Sequence, residues 1–320
     1  MIRFSICGYG YIGQKHAKLL SAFPGATLVA ICDTQPIQNQ WTPAQTYASL
    51  DEMLSSEAID IVTIATPNNL HEQHAIMALN AGKHVLIEKP MALTKSGCEK
   101  IIYTALKQSK QVFCVMQNRY SPVSKWIKRL MEQKALGDIY LVQINCFWNR
   151  DDRYYTPGSW HGKKDIDGGV LFTQFSHFID SLYWLFGDIT NIRGQLHNFS
   201  HRHNTQFDDS GCLTFEFVDG GIGNLNFSTS VWDKNMESSM TIIAQKGSIK
   251  IGGQYMDKIE YAHFMHPISP DFSQAHDNDA NYIQVLKNIV ETLHGKTTIG
   301  TNALEGMKVV DIIERIYALG

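Results

Sequence analysis

The strongest constraint on this chain is a glycine-rich hexamer lodged between two elements of different periodicity. Gly8-Tyr9-Gly10-Tyr11-Ile12-Gly13 fits G-x-G-x-x-G; it follows the apolar run Ile2–Cys7, which reads as a buried strand, and opens Ile12–Leu20, whose apolar residues recur at helical spacing. A second strand-like run, Thr27–Asp33, ends on an acid twenty residues after Gly13. The hexamer alone is weak evidence. A strand, a tight turn, a helix and a second strand closing on a carboxylate at that distance form the unit that binds a dinucleotide. Gly8 permits the turn, Gly10 lets backbone approach a pyrophosphate, and Gly13 lets helix pack closely on strand. The free N–H groups of the helix start favour the phosphates. Asp33 would accept the ribose hydroxyls and repel a 2′-phosphate, and Thr34-Gln35-Pro36-Ile37-Gln38 offers no Arg or Lys to bind one. This favours NAD over NADP.

The alternation continues through Asp60–Ala65 (strand), Leu70–Ala81 (helix, stopped by Gly82), His84–Ile87 (strand), Thr94–Gln108 (helix) and Gln111–Met116 (strand). Strands alternating with helices predict parallel βαβ units, and residues 1–118 are read as one Rossmann domain. The pattern then changes. Ser121-Pro122 has the form of an N-cap and first helical residue, opening a helix to about Gln133; Ile139–Trp148 reads as a long strand and Leu171–Phe186 as an aromatic-rich helix ending near Gly187. From Ser210 to about Phe264, strand patterns follow one another through turns at Asp219-Gly220-Gly221 and Lys246-Gly247-Ser248. They predict a mostly antiparallel sheet. Helical patterns at Ala280–His294 and Thr301–Leu319 close a second α/β domain, read as 119–320. The polar stretch His197–Asp209 is expected to be a mobile or ligand-covering loop.

Composition excludes several classes. Lys and Arg number 28 against 31 Asp and Glu, a net charge of −3, so nothing drives the chain as a whole toward nucleic acid or an anionic membrane. An anionic ligand needs a local cluster of donors. The six cysteines form no C-x-x-C pair and several lie in apolar runs, which fits reduced, buried thiols of a cytoplasmic protein. The sequence shows no signal peptide and no apolar run of membrane-spanning length. Of the 13 histidines, none has metal-ligand spacing: His71-Glu72-Gln73-His74 is one residue short of H-E-x-x-H. No metal is expected, and no G-x-S-x-G suggests a hydrolase.

Glu88-Lys89-Pro90 follows the fourth strand, and ligands of open parallel sheets gather at the carboxyl ends of strands. Three residues do not separate a catalytic lysine from a surface one. The wider sequence does: Ala65-Thr66-Pro67-Asn68-Asn69-Leu70-His71, Ala81-Gly82-Lys83-His84 through Lys89-Pro90, and a Gly168-Gly169 segment leading to His177 and Asp180. In these, over nearly its whole length, the chain resembles the glucose–fructose oxidoreductase and inositol dehydrogenase (Gfo/Idh/MocA) family. The resemblance implies a Rossmann domain followed by an α/β domain with an open, mainly antiparallel sheet, assembled as a homodimer or homotetramer. It implies cofactor contacts from Gly8, Gly10, Tyr11, Ile12, Gly13 and Asp33, and from Thr66, Pro67, Asn68, His71, Glu88, Lys89 and Gln117. It also implies that Lys89 and His177 face nicotinamide and substrate.

A narrower resemblance runs through Gln117-Asn118-Arg119-Tyr120-Ser121-Pro122, Phe147-Trp148-Asn149-Arg150, Tyr154-Tyr155, Trp160-His161-Gly162 and Asp167-Gly168-Gly169 to Thr173-Gln174 and His177. It is similar to the bacterial branch that oxidises C3 of UDP-N-acetylglucosaminuronate for surface polysaccharides. This chain departs from that branch at Thr173, usually Asn; at His161, usually Arg; and at Lys163-Lys164, usually Thr-Trp. All three departures fall where the sugar should bind.

Oxidising a secondary alcohol needs a base for the hydroxyl proton while hydride moves to nicotinamide. His177 suits that task near neutral pH, with Lys89 lowering the alcohol's effective pKa or sharing the proton. Thr173, at i−4, would share the face of His177 on a continuous helix. Many relatives carry Asp there; Thr lacks that charge, which shifts acid–base work toward Lys89. Arg119, Arg150, Arg153, Tyr154, Tyr155, Trp160, His161 and Gln174 are the candidate substrate residues, arginine for phosphate or carboxylate and aromatics for stacking. Surface charge and core packing are the competing readings of these side chains. Two alternatives stand beside the nucleotide-sugar enzyme: a dehydrogenase of a free sugar or cyclitol, and an NAD(P)-binding sensor without turnover.

Overall fold

The computed structural model describes residues 1–38, 43–270, 272 and 278–320. By contact the chain divides into two units, Met1–Gln117 with Asn278–Val310, and Asn118–Asp277 with Asp311–Gly320.

The first unit holds a six-stranded sheet in the order β3-β2-β1-β4-β5-β6. The strands are β1 (Ile2–Cys7), β2 (Ala26–Cys32), β3 (Gln45–Tyr47), β4 (Ile61–Ile64), β5 (His84–Ile87) and β6 (Val112–Cys114). Every pair is parallel. The inner strands are buried on both faces, as all of β4 and the last three residues of β5 are, which is why they read as continuous apolar runs rather than as alternation. The helices are α1 (Tyr11–Ala22), α2 (Leu50–Ser56), α3 (His71–Asn80) and α4 (Lys95–Gln108). Thr94 caps α4, its side chain accepting the Gly97 N–H at 3.0 Å. The order reverses direction between β1 and β4, the place where doubly wound sheets open a crevice. β3, α2 and, in the second sheet, the strand Ile189–His197 have no counterpart in the sequence reading; β3 and Ile189–His197 are largely exposed and α2 buries only Leu50 and Met53, so none shows an apolar run.

The helix α9 (Asn278–Leu293) and the first half of α10 (Ala303–Tyr317) belong to the first unit, although the sequence reading gave all of 119–320 to the second. His16 of α1 packs edge-on against Tyr282, and the Cys114 N–H donates to the Thr301 carbonyl. Helical periodicity records that a helix has an apolar face, not which core receives it.

The second unit is built on a seven-stranded sheet, β13-β12-β11-β7-β10-β9-β8. Its strands are β7 (Ile139–Phe147), β8 (Ile189–His197), β9 (Ser210–Phe217), β10 (Ile222–Ser228), β11 (Glu237–Ala244), β12 (Gly247–Gly252) and β13 (Lys258–Phe264). All neighbours are antiparallel except β7 and β10. One face is apolar and alternates cleanly, with Val142, Ile144 and Cys146 of β7 beside Leu225 and Phe227 of β10. Ser121 caps α5 (Pro122–Glu132), accepting the Ser124 N–H at 3.1 Å.

The aromatic helix expected over Leu171–Phe186 is interrupted. It forms α7 (Val170–Thr173) and α8 (Ser176–Phe186), preceded by the short α6 (Lys164–Asp167). The Phe175 N–H reaches back to the Val170 carbonyl while the Phe178 N–H turns to that of Phe175, so the regular ladder stops between the two helices. The face shared by Thr173 and His177 on one continuous helix is therefore corrected. The stretch His197–Asp209, read as mobile or covering, is drawn around buried Asp209, which accepts N–H groups of Phe199 and Ser200, the His201 ring and the Ser210 hydroxyl.

Candidate active site

In the first unit, the candidate cofactor residues sit at the carboxyl end of the parallel sheet. The strand ladder carries on past the strand ends: Gly8 N–H donates to Cys32, Ala65 N–H to Cys7 and Glu88 N–H to Ile64. Gly8 has φ +94°, and a Cβ there would lie 2.6 Å from the Ala65 carbonyl oxygen; a Cβ on Gly13 would overlap the carbonyl oxygen of Gly8. Both positions exclude every residue but glycine. Gly10 differs: nothing stands within 4 Å of a Cβ built on it. It caps α1 with no side chain, and the first turn of α1 has no acid. An exposed helix start bare of its own anion is what a pyrophosphate requires.

Beside it opens a cavity of about 610 Å³ lined by Tyr9, Gly10, Gln14, Asp33, Gln35, Pro36, Ile37 and Gln38. No Lys or Arg is among these, which suits ribose hydroxyls and not a 2′-phosphate. The Asp33 carboxylate accepts the Tyr9 N–H at 2.6 Å and the Gln35 N–H at 2.8 Å, so it also holds the turn in shape. Tyr11 is largely exposed and Ile12 half-buried at the start of α1.

Two histidines hold the loop around Lys89. His16 of α1 lies 2.8 Å from Glu88 through Nε2, both buried, and the other Glu88 oxygen accepts the Lys89 N–H at 3.2 Å. His71 places Nδ1 2.7 Å from the Pro90 carbonyl oxygen and Nε2 2.8 Å from that of Thr66. Burial lowers its pKa, against the two carbonyls, which favour the protonated ring. His71 thereby joins the Thr66-Pro67-Asn68 turn to Glu88-Lys89-Pro90. Lys89 itself is half-buried, and Asn68 and Gln117 are buried. His16 was absent from the candidate residues; its only signal was its place three residues after Gly13 on the buried side of the helix.

The second unit gathers the other candidates around a hydrogen-bonded chain. Arg150 Nε donates to Gln174 Oε1 at 2.8 Å, Gln174 Nε2 to the Tyr154 hydroxyl at 2.6 Å, and that hydroxyl lies 3.1 Å from His161 Nδ1. The Arg150 guanidinium stacks on Trp148 and Tyr154, 4.9 and 5.2 Å from their ring centres. Burial lowers its pKa and raises that of Tyr154, the latter helped by the nearby Asp167 charge. Trp160 lies against His161, ring centres 3.9 Å apart. Tyr155 is buried among Tyr154, His201 and Phe207, a packing role. Arg153 is bound by Asp151 and faces solvent. His177 lies in the first turn of α8, with 9 % exposure.

Arg119 needs a correction. Its guanidinium is buried and donates to Asp180 of α8 in three contacts of 2.6, 2.9 and 3.2 Å. A fork matched to a buried carboxylate inside the protein is committed there and does not serve as an anion receptor. Two acids were overlooked in these roles: Asp180, the partner of Arg119, and Asp167, a buried carboxylate bonded to Thr173. Among the described residues no group of three His, Cys, Asp or Glu side chains could hold a metal ion, and no helix is long and apolar enough to cross a membrane.

A doubly wound sheet with a bare helix start at its switch point, a ribose-type carboxylate and a lysine at a strand end define a dinucleotide-dependent oxidoreductase. Residues 2–116 match the model of the oxidoreductase family with the NAD-binding Rossmann fold, and residues 125–250 match the GFO/IDH/MocA C-terminal domain. The chain belongs to the GFO/IDH/MocA family; it is a dehydrogenase that uses NAD. It is 30% identical to the WlbA dehydrogenase of Bordetella pertussis, solved with NADH and UDP-GlcNAcA, over 99% of this chain and 95% of that one, with a TM-score of 0.92. The WlbA dehydrogenase of Chromobacterium violaceum, solved with the same two ligands, is 32% identical over 99% and 93%, also with a TM-score of 0.92. The 2,7-anhydro-N-acetylneuraminate hydratase of Escherichia coli is 29% identical over 79% of this chain and 68% of that protein.

Proposed function

We propose that this enzyme oxidises a secondary alcohol of a nucleotide sugar, at C3 of UDP-N-acetylglucosaminuronate or a close relative, in the making of a surface polysaccharide. The observation that carries this reading is the whole-chain likeness to two dehydrogenases solved with NADH and UDP-GlcNAcA, at an identity that exceeds fold likeness alone. The polar chain from Arg150 through Gln174 and Tyr154 to His161 supports it, since it includes a partly buried guanidinium, the group suited to a phosphate or carboxylate. A homodimer or homotetramer is part of the same proposal.

NAD supplies the hydride acceptor when bound. The turn Gly8–Gly13 and the α1 start hold its pyrophosphate, Asp33 its ribose, and the Thr66–Asn68 turn with Glu88 frames the approach. Lys89 is assigned to the proton side of the reaction in the first unit, its backbone fixed through Glu88 and Pro90. His177 is assigned as the base that takes the alcohol proton, and Thr173 as a hydroxyl that meets the sugar. Arg150 takes the uronate or a phosphate; Gln174, Trp160 and His161 shape the remainder.

The test is NADH absorbance with NAD and a panel of UDP-N-acetylglucosaminuronate, UDP-N-acetylglucosamine, glucose and myo-inositol, run with and without an oxo acceptor. Reduction with the UDP-uronate and a loss of about 100-fold or more in Lys89→Ala are expected. Reduction only with a free polyol would replace this reading with a cyclitol or sugar dehydrogenase.

A further inference from the structure

No step of the proposed reaction uses His16, yet its ring is buried and joined to the residue before Lys89. His16 is the sixth residue of α1 and lies on the buried side with Gly13, Ala17 and Leu20. Its Nε2 stands 2.8 Å from Glu88 Oε1, and the two side chains are 1 % and 7 % exposed. Its Nδ1 is buried and meets no hydrogen-bond partner among the described residues. A proton on Nδ1 alone would leave that N–H unanswered and turn two lone pairs toward each other across 2.8 Å. Nε2 therefore carries a proton and donates to the Glu88 carboxylate. The other Glu88 oxygen accepts the Lys89 N–H at 3.2 Å, and the Glu88 N–H donates to the Ile64 carbonyl at 3.0 Å. Lys89 thus follows a residue held by its backbone to β4 and by its side chain to α1. Tyr282 of α9 packs edge-on against the His16 ring, and Lys15 lies 3.0 Å from Asp279 of the same helix, so α9 fastens α1 beside this contact.

We propose that His16 is a positioning residue: through the N–H it donates to Glu88, it ties α1, the helix that receives the pyrophosphate, to the loop that carries Lys89. The inference rests on the reading that Lys89 serves the proton side of the reaction. The start of α1 meets the cofactor and its sixth residue fixes the side chain before Lys89, so one helix places both. A Glu88 carboxylate held on one oxygen by His16 keeps the other turned to the Lys89 N–H. Without His16 it is a buried charge that turns to whatever donor it can reach. The pyrophosphate meets backbone N–H groups, which a change of the His16 ring leaves in place. The link therefore acts on turnover and not on cofactor affinity. His16 touches no ligand and exchanges no proton in this role.

His16→Gln and His16→Asn separate this role from simple packing. A glutamine amide reaches as far as Nε2 and can donate to Glu88; an asparagine amide ends where Nδ1 stands and cannot. Initial rates with NAD and UDP-N-acetylglucosaminuronate should show kcat lowered about tenfold or more in His16→Asn, with the Kd of NAD in calorimetry within about threefold of wild type. His16→Gln should keep kcat within about threefold, and His16→Asn with Lys89→Ala should be no slower than Lys89→Ala alone. A glutamine as slow as asparagine, NAD affinity lost with kcat intact, or losses that multiply in the double variant would each overturn the proposal. A wild-type kcat in His16→Asn beside a slow Lys89→Ala defeats this proposal alone. A wild-type kcat in Lys89→Ala defeats the assignment of Lys89, and amide exchange at Lys89 then judges the link by itself. That exchange should quicken about tenfold in His16→Asn and not in His16→Gln; equal exchange in the two refutes the link. So does nitrogen NMR of histidine-labelled enzyme that finds no proton on His16 Nε2. If wild type oxidises no UDP-sugar, the nucleotide-sugar reading fails separately, and the same variants are compared on the polyol that is oxidised.

Discussion

Replacing Asp180 by alanine tests whether Arg119 belongs to the core or to the ligand. The pair is 3 % and 1 % exposed in its side chains, and three contacts join it. Removing the carboxylate leaves a guanidinium buried with its counter-charge gone. Two unit charges about 4 Å apart attract by about 4 kcal/mol at an effective dielectric constant of about 20. Breaking a buried pair from one side costs about 3–5 kcal/mol, the same size. With a urea m value near the upper end of the usual range, about 3 kcal/mol/M, the unfolding midpoint should fall by about 1–2 M. Trp184 is a convenient reporter because its ring lies 5.3 Å from the Arg119 guanidinium. The double variant Arg119→Met with Asp180→Leu should restore most of the loss, since an apolar pair of similar volume avoids the desolvation penalty. An Asp180→Ala midpoint within about 0.3 M of wild type would refute the argument, by the same slope. So would an Arg119→Ala protein that keeps its stability and loses only sugar affinity, which would return Arg119 to the ligand.

Asp33→Ser should raise KM for NAD about tenfold or more and narrow the preference over NADP, measured by initial rates with each cofactor, because the carboxylate both accepts from Tyr9 and Gln35 and repels a 2′-phosphate. Gly13→Ala should abolish NAD binding in calorimetry, since its Cβ would overlap the Gly8 carbonyl oxygen and push α1 off the strand. Asp209 gives a pH signature. Burial works to raise its pKa, but the His201 ring, the Ser200 N–H and the Ser210 hydroxyl outweigh burial and hold it at about 2. A carboxyl depressed on folding stabilises above its unfolded value and loses that contribution as pH falls through the folded one. Acid denaturation of the second unit should therefore steepen between about pH 4 and pH 2, and Asp209→Asn should remove that component.

The cofactor end was legible because its requirements are local. The turn at Gly8–Gly13, the helix it opens and the acid at Asp33 lie within one βαβ unit, where spacing along the chain is nearly spacing in space. The capped helices α4 and α5 were legible for the same reason, since Thr94 and Ser121 act on N–H groups three residues on. Short β3 was hidden because it is largely exposed and carries no apolar run, unlike the equally short but buried β6, and α2 because only Leu50 and Met53 of its seven residues are buried.

The sequence by itself determined the alternation of strands and helices along the first sheet and the mostly antiparallel second one, because each follows from periodicity or turn chemistry, and its motifs carried the resemblance to the family. Only the tertiary structure decided which charges are answered and by what. Arg119 and Asp180 stand 61 residues apart in sequence and meet through two elements that pack together. Nothing in either residue's neighbourhood announces the other. The same holds for His16 with Glu88, 72 residues apart, and for α9, whose apolar face joins the first unit. A side chain's identity states which bonds it can make; which one it does make depends on what the fold brings within about 3 Å, and burial decides how much that bond is worth.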